Sequence, residues 1–82
     1  MTLPAFTPAT GPLASLDLLQ IGLAGDVAHL RLMRATKRNA LNDTLVRQLH
    51  TAFVHWPSEV RAVVLSGEGD HFCAGLDLSE MS

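Results

Sequence analysis

His71-Phe72-Cys73-Ala74-Gly75-Leu76-Asp77-Leu78-Ser79-Glu80 is the stretch that decides how the rest of this 82-residue chain is read. Before it come a β-branched run, Val60 to Ser66, that predicts a buried strand, and a turn through Gly67-Glu68-Gly69-Asp70. Asp77 with Glu80 three residues on predicts a capping box opening a helix, each side chain satisfying a backbone donor of the first turn. Gly75, just before the cap, permits a backbone conformation that a residue with a Cβ resists. A strand, a tight turn and a helix start present free N–H groups at the positive end of a helix dipole. Such a place binds an anion, or polarises a carbonyl on its way to becoming one.

Upstream, the pattern is that of a small α/β unit. Residues 1–15 carry Pro4, Pro8, Gly11 and Pro12 among small residues and are expected to form a flexible, poorly packed leader to a domain over 16–82. Leu18 to Leu23 and Val27 to Leu32 flank Ala24-Gly25-Asp26, and the second run alternates, with Val27, His29 and Arg31 on one face and Ala28, Leu30 and Leu32 on the other. A short glycine-containing loop between such runs predicts an antiparallel hairpin. After a loop, Arg34 to Leu41, Asn42 offers a helix N-cap and Asp43 a first-turn negative charge. Leu45, Leu49, Ala52, Phe53 and Trp56 recur at helical spacing as one apolar stripe, which Pro57 ends. Ala62-Val63-Val64-Leu65 is apolar on successive residues, so both faces of this strand are expected to be covered. Strand, helix and strand in that order predict a right-handed βαβ crossover. The last helix is announced by its cap and has barely one turn before Ser82, so the chain reads as a domain cut short.

Composition narrows the function classes. At 48% hydrophobic and 17% charged the chain is expected to be globular. Its net charge of −2 gives no electrostatic argument for nucleic acid or an anionic membrane as partner. No apolar run approaches the ~20 residues of a membrane helix, and Met1 to Phe6 lacks the basic and apolar regions of a signal peptide. The single cysteine, Cys73, makes a reducing, cytoplasmic setting the simpler expectation.

Three segments taken together resemble the crotonase superfamily, the enoyl-CoA hydratase/isomerase fold. They are the hairpin into Lys37-Arg38-Asn39-Ala40-Leu41-Asn42, the strand Val60-Arg61-Ala62-Val63-Val64-Leu65-Ser66-Gly67, and Phe72-Cys73-Ala74-Gly75-Leu76-Asp77-Leu78. Their order and spacing carry the resemblance, which spans roughly Leu18 to Ser82. It implies the N-terminal portion of a ββα spiral, with the hairpin followed by the βαβ unit. It also implies acyl-CoA thioesters as substrates, with no further cofactor. Members of this family hold the thioester carbonyl between two backbone N–H donors, of which the first maps onto Leu76. Their CoA site maps onto Lys37, Arg38 and Ala40, with Ala74, Asp77 and Leu78 along the turn. Adjacent cations suit CoA phosphates, although on their own Lys37 and Arg38 also read as solvated loop charges. The family's second oxyanion donor and its acid/base carboxylates lie further along than Ser82.

Other candidates carry less. His29, His50, His55 and His71 lack the spacing of a metal site. Cys73 with His71 two residues away reads as a buried small residue rather than a nucleophile with its base. Gly67-Glu68-Gly69 lacks the phosphate-loop pattern. Two functional readings follow. One is a crotonase-type hydratase or isomerase. The other is an inactive fragment or an interaction module that associates with crotonase-type subunits, which are commonly trimers or pairs of trimers. An unfinished sheet predicts marginal stability and a tendency to associate, with order mainly between Leu18 and Leu78.

Overall fold

The computed structural model describes residues 6–80. Four strands form one sheet in the order β1-β2-β3-β4: β1 Thr7–Pro8, β2 Leu19–Ala24, β3 Val27–Leu32 and β4 Ala62–Gly67. The helix α1, Asp43–Val54, lies between β3 and β4 in the chain. β2 and β3 pair antiparallel with Ile21 opposite Leu30 and Ala24 opposite Val27, so the connection is the two-residue turn Gly25-Asp26. That is one residue tighter than the expected loop. Gly25 takes φ of +59° and Asp26 does not follow it into positive φ, as a II′ turn requires. β4 runs parallel to β3, with Leu30 opposite Leu65 and Leu32 opposite Gly67, which is the pairing a βαβ unit makes.

The core lies between the sheet and α1. Leu19 and Ile21 of β2, Leu30 and Leu32 of β3, and Leu45 and Ala52 of α1 are buried together. The Asn42 side chain caps α1 by accepting from Leu45 N–H at 2.9 Å, which satisfies one orphan donor and places Leu45 at the centre of the core. On the opposite face of the sheet Phe6 sits edge-on to His29, with ring centroids 5.2 Å apart, and covers Gly22. A Cβ at Gly22 would come 2.7 Å from Phe6 Cβ. β3 is therefore buried on both faces, which explains why Ala28, His29 and Leu30 are inaccessible in succession.

Three expectations need correction. Within the presumed leader, Thr7 and Pro8 pair with Leu23 and Gly22, and Leu13 joins the core from a 3-10 turn over Gly11–Ser15. Proline is tolerated there because β1 is an edge strand and Pro12 begins the turn. Residues 1–5 of the leader lie outside the described residues. β4 is not covered on both faces: it is the other edge of the sheet, and Val64 and Leu65 are about half exposed. The helical stripe is also narrower than the spacing suggested, since Phe53 is 51% exposed and packs edge-on to Trp56 at 5.4 Å.

Candidate functional site

Beyond β3 the chain passes a 3-10 turn, Ala35–Lys37, and then places Arg38 and Asn39 in the left-handed region at φ of 53° and 58°. Asparagine tolerates this conformation better than most residues. Here its side chain makes the conformation useful. Asn39 Oδ1 accepts from Arg34 N–H at 2.8 Å, and Nδ2 donates to Glu68 O at 2.9 Å and His71 O at 2.7 Å. One buried amide thus ties the loop after β3 to the turn after β4. Gly67 is obligatory at the same point, because a Cβ would meet Phe72 O at 2.5 Å and Asn39 Nδ2 at 2.7 Å.

The two segments then run side by side. Ala74 N–H donates to Arg38 O at 3.0 Å, Leu41 N–H to Gly75 O at 2.8 Å, and Asp77 N–H to Leu41 O at 2.8 Å. This is a parallel bridge between Leu41 and Leu76. Gly75 turns into it at φ of +91°, the kind of backbone conformation that its lack of a Cβ permits. In a parallel bridge the flanking carbonyl and N–H point at the partner strand, so the bridged residue's own N–H points away. Among the described residues Leu76 N–H has no acceptor, and the Leu76 side chain is 58% exposed. The N–H that the resemblance singled out is therefore not spent on an internal hydrogen bond.

Asp77 and Glu80 do not form the expected capping box. Asp77 Oδ1 accepts from Ser79 N–H at 3.2 Å and Ser79 Oγ–H at 2.6 Å, which is only the Asp77 half of the cap. Glu80 reaches across the site instead, accepting from Arg34 Nη2 at 2.6 Å and Asn42 Nδ2 at 2.9 Å. Residues 78–80 are a turn closed by Glu80 N–H to Asp77 O, and no helix begins there among the described residues. The buried Arg34 explains the difference: a guanidinium with carboxylates within reach draws them more strongly than a neutral backbone N–H does. Arg34 Nη1 lies 2.9 Å from Asp77 Oδ2 and donates to Ala40 O at 2.8 Å. The hydrogen bonds from Ser79, and then Arg34, hold the Asp77 carboxyl below the usual aspartate range.

The predicted site residues fall on this double strand in distinct ways. Lys37 and Arg38 are exposed and, among the described residues, neither is in an ion pair. Ala40 is buried, with its carbonyl taken by Arg34. Ala74 and Leu78 are exposed beside Leu76, whereas Asp77 is buried with its carboxylate turned inward. An apolar cleft of about 190 Å³ opens next to them, lined by Leu32, Leu41, Leu49, Leu65, Phe72 and Cys73. Cys73 Sγ accepts from Gly75 N–H at 3.4 Å and is half-buried, which makes it part of the turn. No cluster of His, Cys, Asp and Glu among the described residues is arranged to hold a metal. None of their helices is long and apolar enough to cross a membrane. Sequence reasoning missed Arg34 and the side-chain role of Asn39. The signal for Asn39 was its place in a loop needing positive φ, while Arg34 had none.

The enoyl-CoA hydratase/isomerase family profile matches residues 22–82, most of the chain and all of this site. The chain belongs to the enoyl-CoA hydratase/isomerase family. It is 41% identical over 58 residues to human mitochondrial Delta(3,5)-Delta(2,4)-dienoyl-CoA isomerase, covering 68% of this chain and 18% of the isomerase. It is 43% identical over 63 residues to the probable enoyl-CoA hydratase echA6 of Mycobacterium bovis, covering 76% and 26%. Among solved structures, a candidate enoyl-CoA hydratase from Thermobifida fusca in complex with acetoacetyl-CoA superposes with a TM-score of 0.73 at 33% identity, covering 85% of this chain and 28% of that one. The enoyl-CoA hydratase of Mycobacterium tuberculosis gives 0.72 at 36% identity, covering 78% and 30%. The hairpin followed by the βαβ unit is thus the N-terminal part of a crotonase fold. The chain spans less than a third of the length of these members.

Proposed function

We propose that this chain supplies the first half of an acyl-CoA thioester site, in which Leu76 N–H is one of two oxyanion donors. The observation that carries this reading is the outward Leu76 N–H, fixed by the bridge to Leu41 on a turn with positive φ at Gly75. A donor held in place before substrate arrives stabilises an enolate-like oxygen without reorganising, and losing one such donor costs ~10²–10³ in rate. The exposed cations Lys37 and Arg38 share a hydrogen-bonded edge with the turn, through Arg38 O and Ala74 N–H, and are assigned to the CoA phosphates. Ala74 and Leu78 are assigned to the exposed side of that edge, while Ala40, buried beneath it, and Asp77 contribute by holding the loop and the turn. The carboxylates of Asp77 and Glu80, which follow Leu76 in the chain, are engaged by Arg34. General acid/base work for hydration or isomerisation is therefore assigned to groups outside the described residues.

A second reading rests on the half-exposed Val64, Leu65 and Phe72 and the largely exposed Leu76 and Leu78. This apolar stretch suits an interaction module that docks on crotonase-type subunits. Isothermal titration with CoA and with crotonyl-CoA, paired with a hydration assay, separates the two. The thioester site predicts binding of both ligands, weakened by Lys37→Ala and Arg38→Ala. The loss of all binding, with self-association on sedimentation, would favour the module.

A further inference from the structure

Arg34 stands at one end of an unbroken hydrogen-bond chain that ends on Leu76 N–H. Its Nη1 donates to Ala40 O at 2.8 Å. That carbonyl shares a peptide unit with Leu41 N–H, which donates to Gly75 O at 2.8 Å. The Gly75 carbonyl in turn shares its peptide unit with Leu76 N–H. No peptide bond among the described residues is cis, so C=O and N–H point in opposite directions within each unit. The two peptide dipoles are therefore aligned head to tail, with a guanidinium at the carbonyl end and the free N–H at the other. Hydrogen bonds in such a chain polarise one another, most of all where a charged donor begins it and the surroundings exclude water. Arg34 and Ala40 are both buried, at 9% and 8% exposure.

We infer that Arg34 is a positioning residue for the oxyanion donor, orienting and polarising Leu76 N–H through the Ala40–Leu41 and Gly75–Leu76 peptide units. The inference rests on the thioester reading for its functional meaning, but the relay itself is a property of the free protein. Asp77 and Glu80 have a defined part in it: Asp77 Oδ2 lies 2.9 Å from the same Nη1 and Glu80 Oε2 accepts from Nη2 at 2.6 Å, so two carboxylates fix the guanidinium beside Ala40 O. Arg34 itself bonds Ala40 O and the two carboxylates and makes no hydrogen bond to Leu76 N–H.

The test uses the full chain and two substitutions that keep a donor at position 34. Arg34→Lys retains the charge, whereas Arg34→Gln retains a neutral N–H within reach of Ala40 O. In nuclear magnetic resonance spectra of the unliganded protein, the Leu76 amide proton should move upfield in Arg34→Gln and stay near its wild-type position in Arg34→Lys. Titration with CoA and acetoacetyl-CoA should show Arg34→Gln losing about three- to tenfold of the preference for the thioester, with CoA affinity little changed. Arg34→Lys should keep that preference. An unchanged Leu76 amide in Arg34→Gln, or equal shifts in both variants, overturns the relay. An equal loss of CoA and acetoacetyl-CoA affinity would show a scaffold and likewise overturn it. Should Arg34→Gln not fold, the wild type still decides: a scalar coupling across the Leu41 N–H to Gly75 C=O hydrogen bond is required, and its absence overturns the chain. If the wild type binds neither ligand, the thioester reading fails, while the amide shifts still judge the relay.

Discussion

The two halves of this molecule are held together by different physics. Between β2, β3 and α1 the contacts are apolar: Leu19, Ile21, Leu30, Leu32, Leu45 and Ala52 exclude water, and each would accept another aliphatic of similar volume. Between the loop 34–42 and the turn 67–80 the contacts are polar and directional. They are made by Arg34, Asn39 and Asn42 with backbone carbonyls and two carboxylates. The apolar half gives cohesion without fixing any single atom. The polar half fixes peptide groups to within hydrogen-bond tolerance, which is what the proposed role of Leu76 N–H as an oxyanion donor would need. The comparison teaches that the site's precision is a property of its polar clasp, with the core beneath serving as its platform.

Substitutions can break this comparison. The largest expected effect is Leu45→Ala, which opens a cavity beside a fully buried position and should cost about 2–5 kcal/mol in urea unfolding. Asn39→Ala should cost about 2–3 kcal/mol, because it leaves buried partners unsatisfied and forces alanine into positive φ. Its signature should be local: amide exchange at Leu41 and Asp77, whose N–H groups are bonded across the clasp, accelerates far more than at Leu30. Equal acceleration in both regions would mean that Asn39 supports the whole fold and not the clasp alone. Phe53→Ser, on the exposed side of α1, should change stability by no more than about 0.5 kcal/mol apart from its edge contact with Trp56. A larger loss would mean that the apolar stripe is wider than its burial indicates.

Acid should separate the halves as well. Burial, and then the Arg31 charge, hold the His29 pKa below the ordinary 6.5. Folding therefore favours neutral His29, and the stability this supplies is present above 6.5 and lost as pH falls toward the folded value. His29 also bonds Ser66 Oγ at 2.7 Å across β3 and β4, so the sheet should feel this first. Asp77, lowered by Ser79 and Arg34, contributes stability that is present above the ordinary aspartate value of 3.8 and is lost only as pH falls through its folded value. Stability measured against pH should decline in two steps. His29→Gln should abolish the upper step, and Asp77→Asn the lower. A single step would contradict the assignment.

Much of this could be read along the chain. The Gly25 turn, the alternation in Val27–Leu32, the Asn42 cap and the positive φ at Gly75 are local matters, set by steric limits and by hydrogen bonds within a few residues. The packed role of Leu13, the exposure of Val64 and Leu65, and the fate of Asp77 and Glu80 could not be read this way.

By itself, then, the sequence determined the hairpin, the helix α1 and the strand β4, their order and the family, because propensity, period and turn chemistry act over short spans. Only the tertiary structure decided which charges are buried and where the last turn leads. Arg34 is 46 residues from Glu80, and nothing near either in the chain marks them as partners. A guanidinium becomes an anchor only when folding removes water from both groups and brings them together, and that closes a loop no local rule can see.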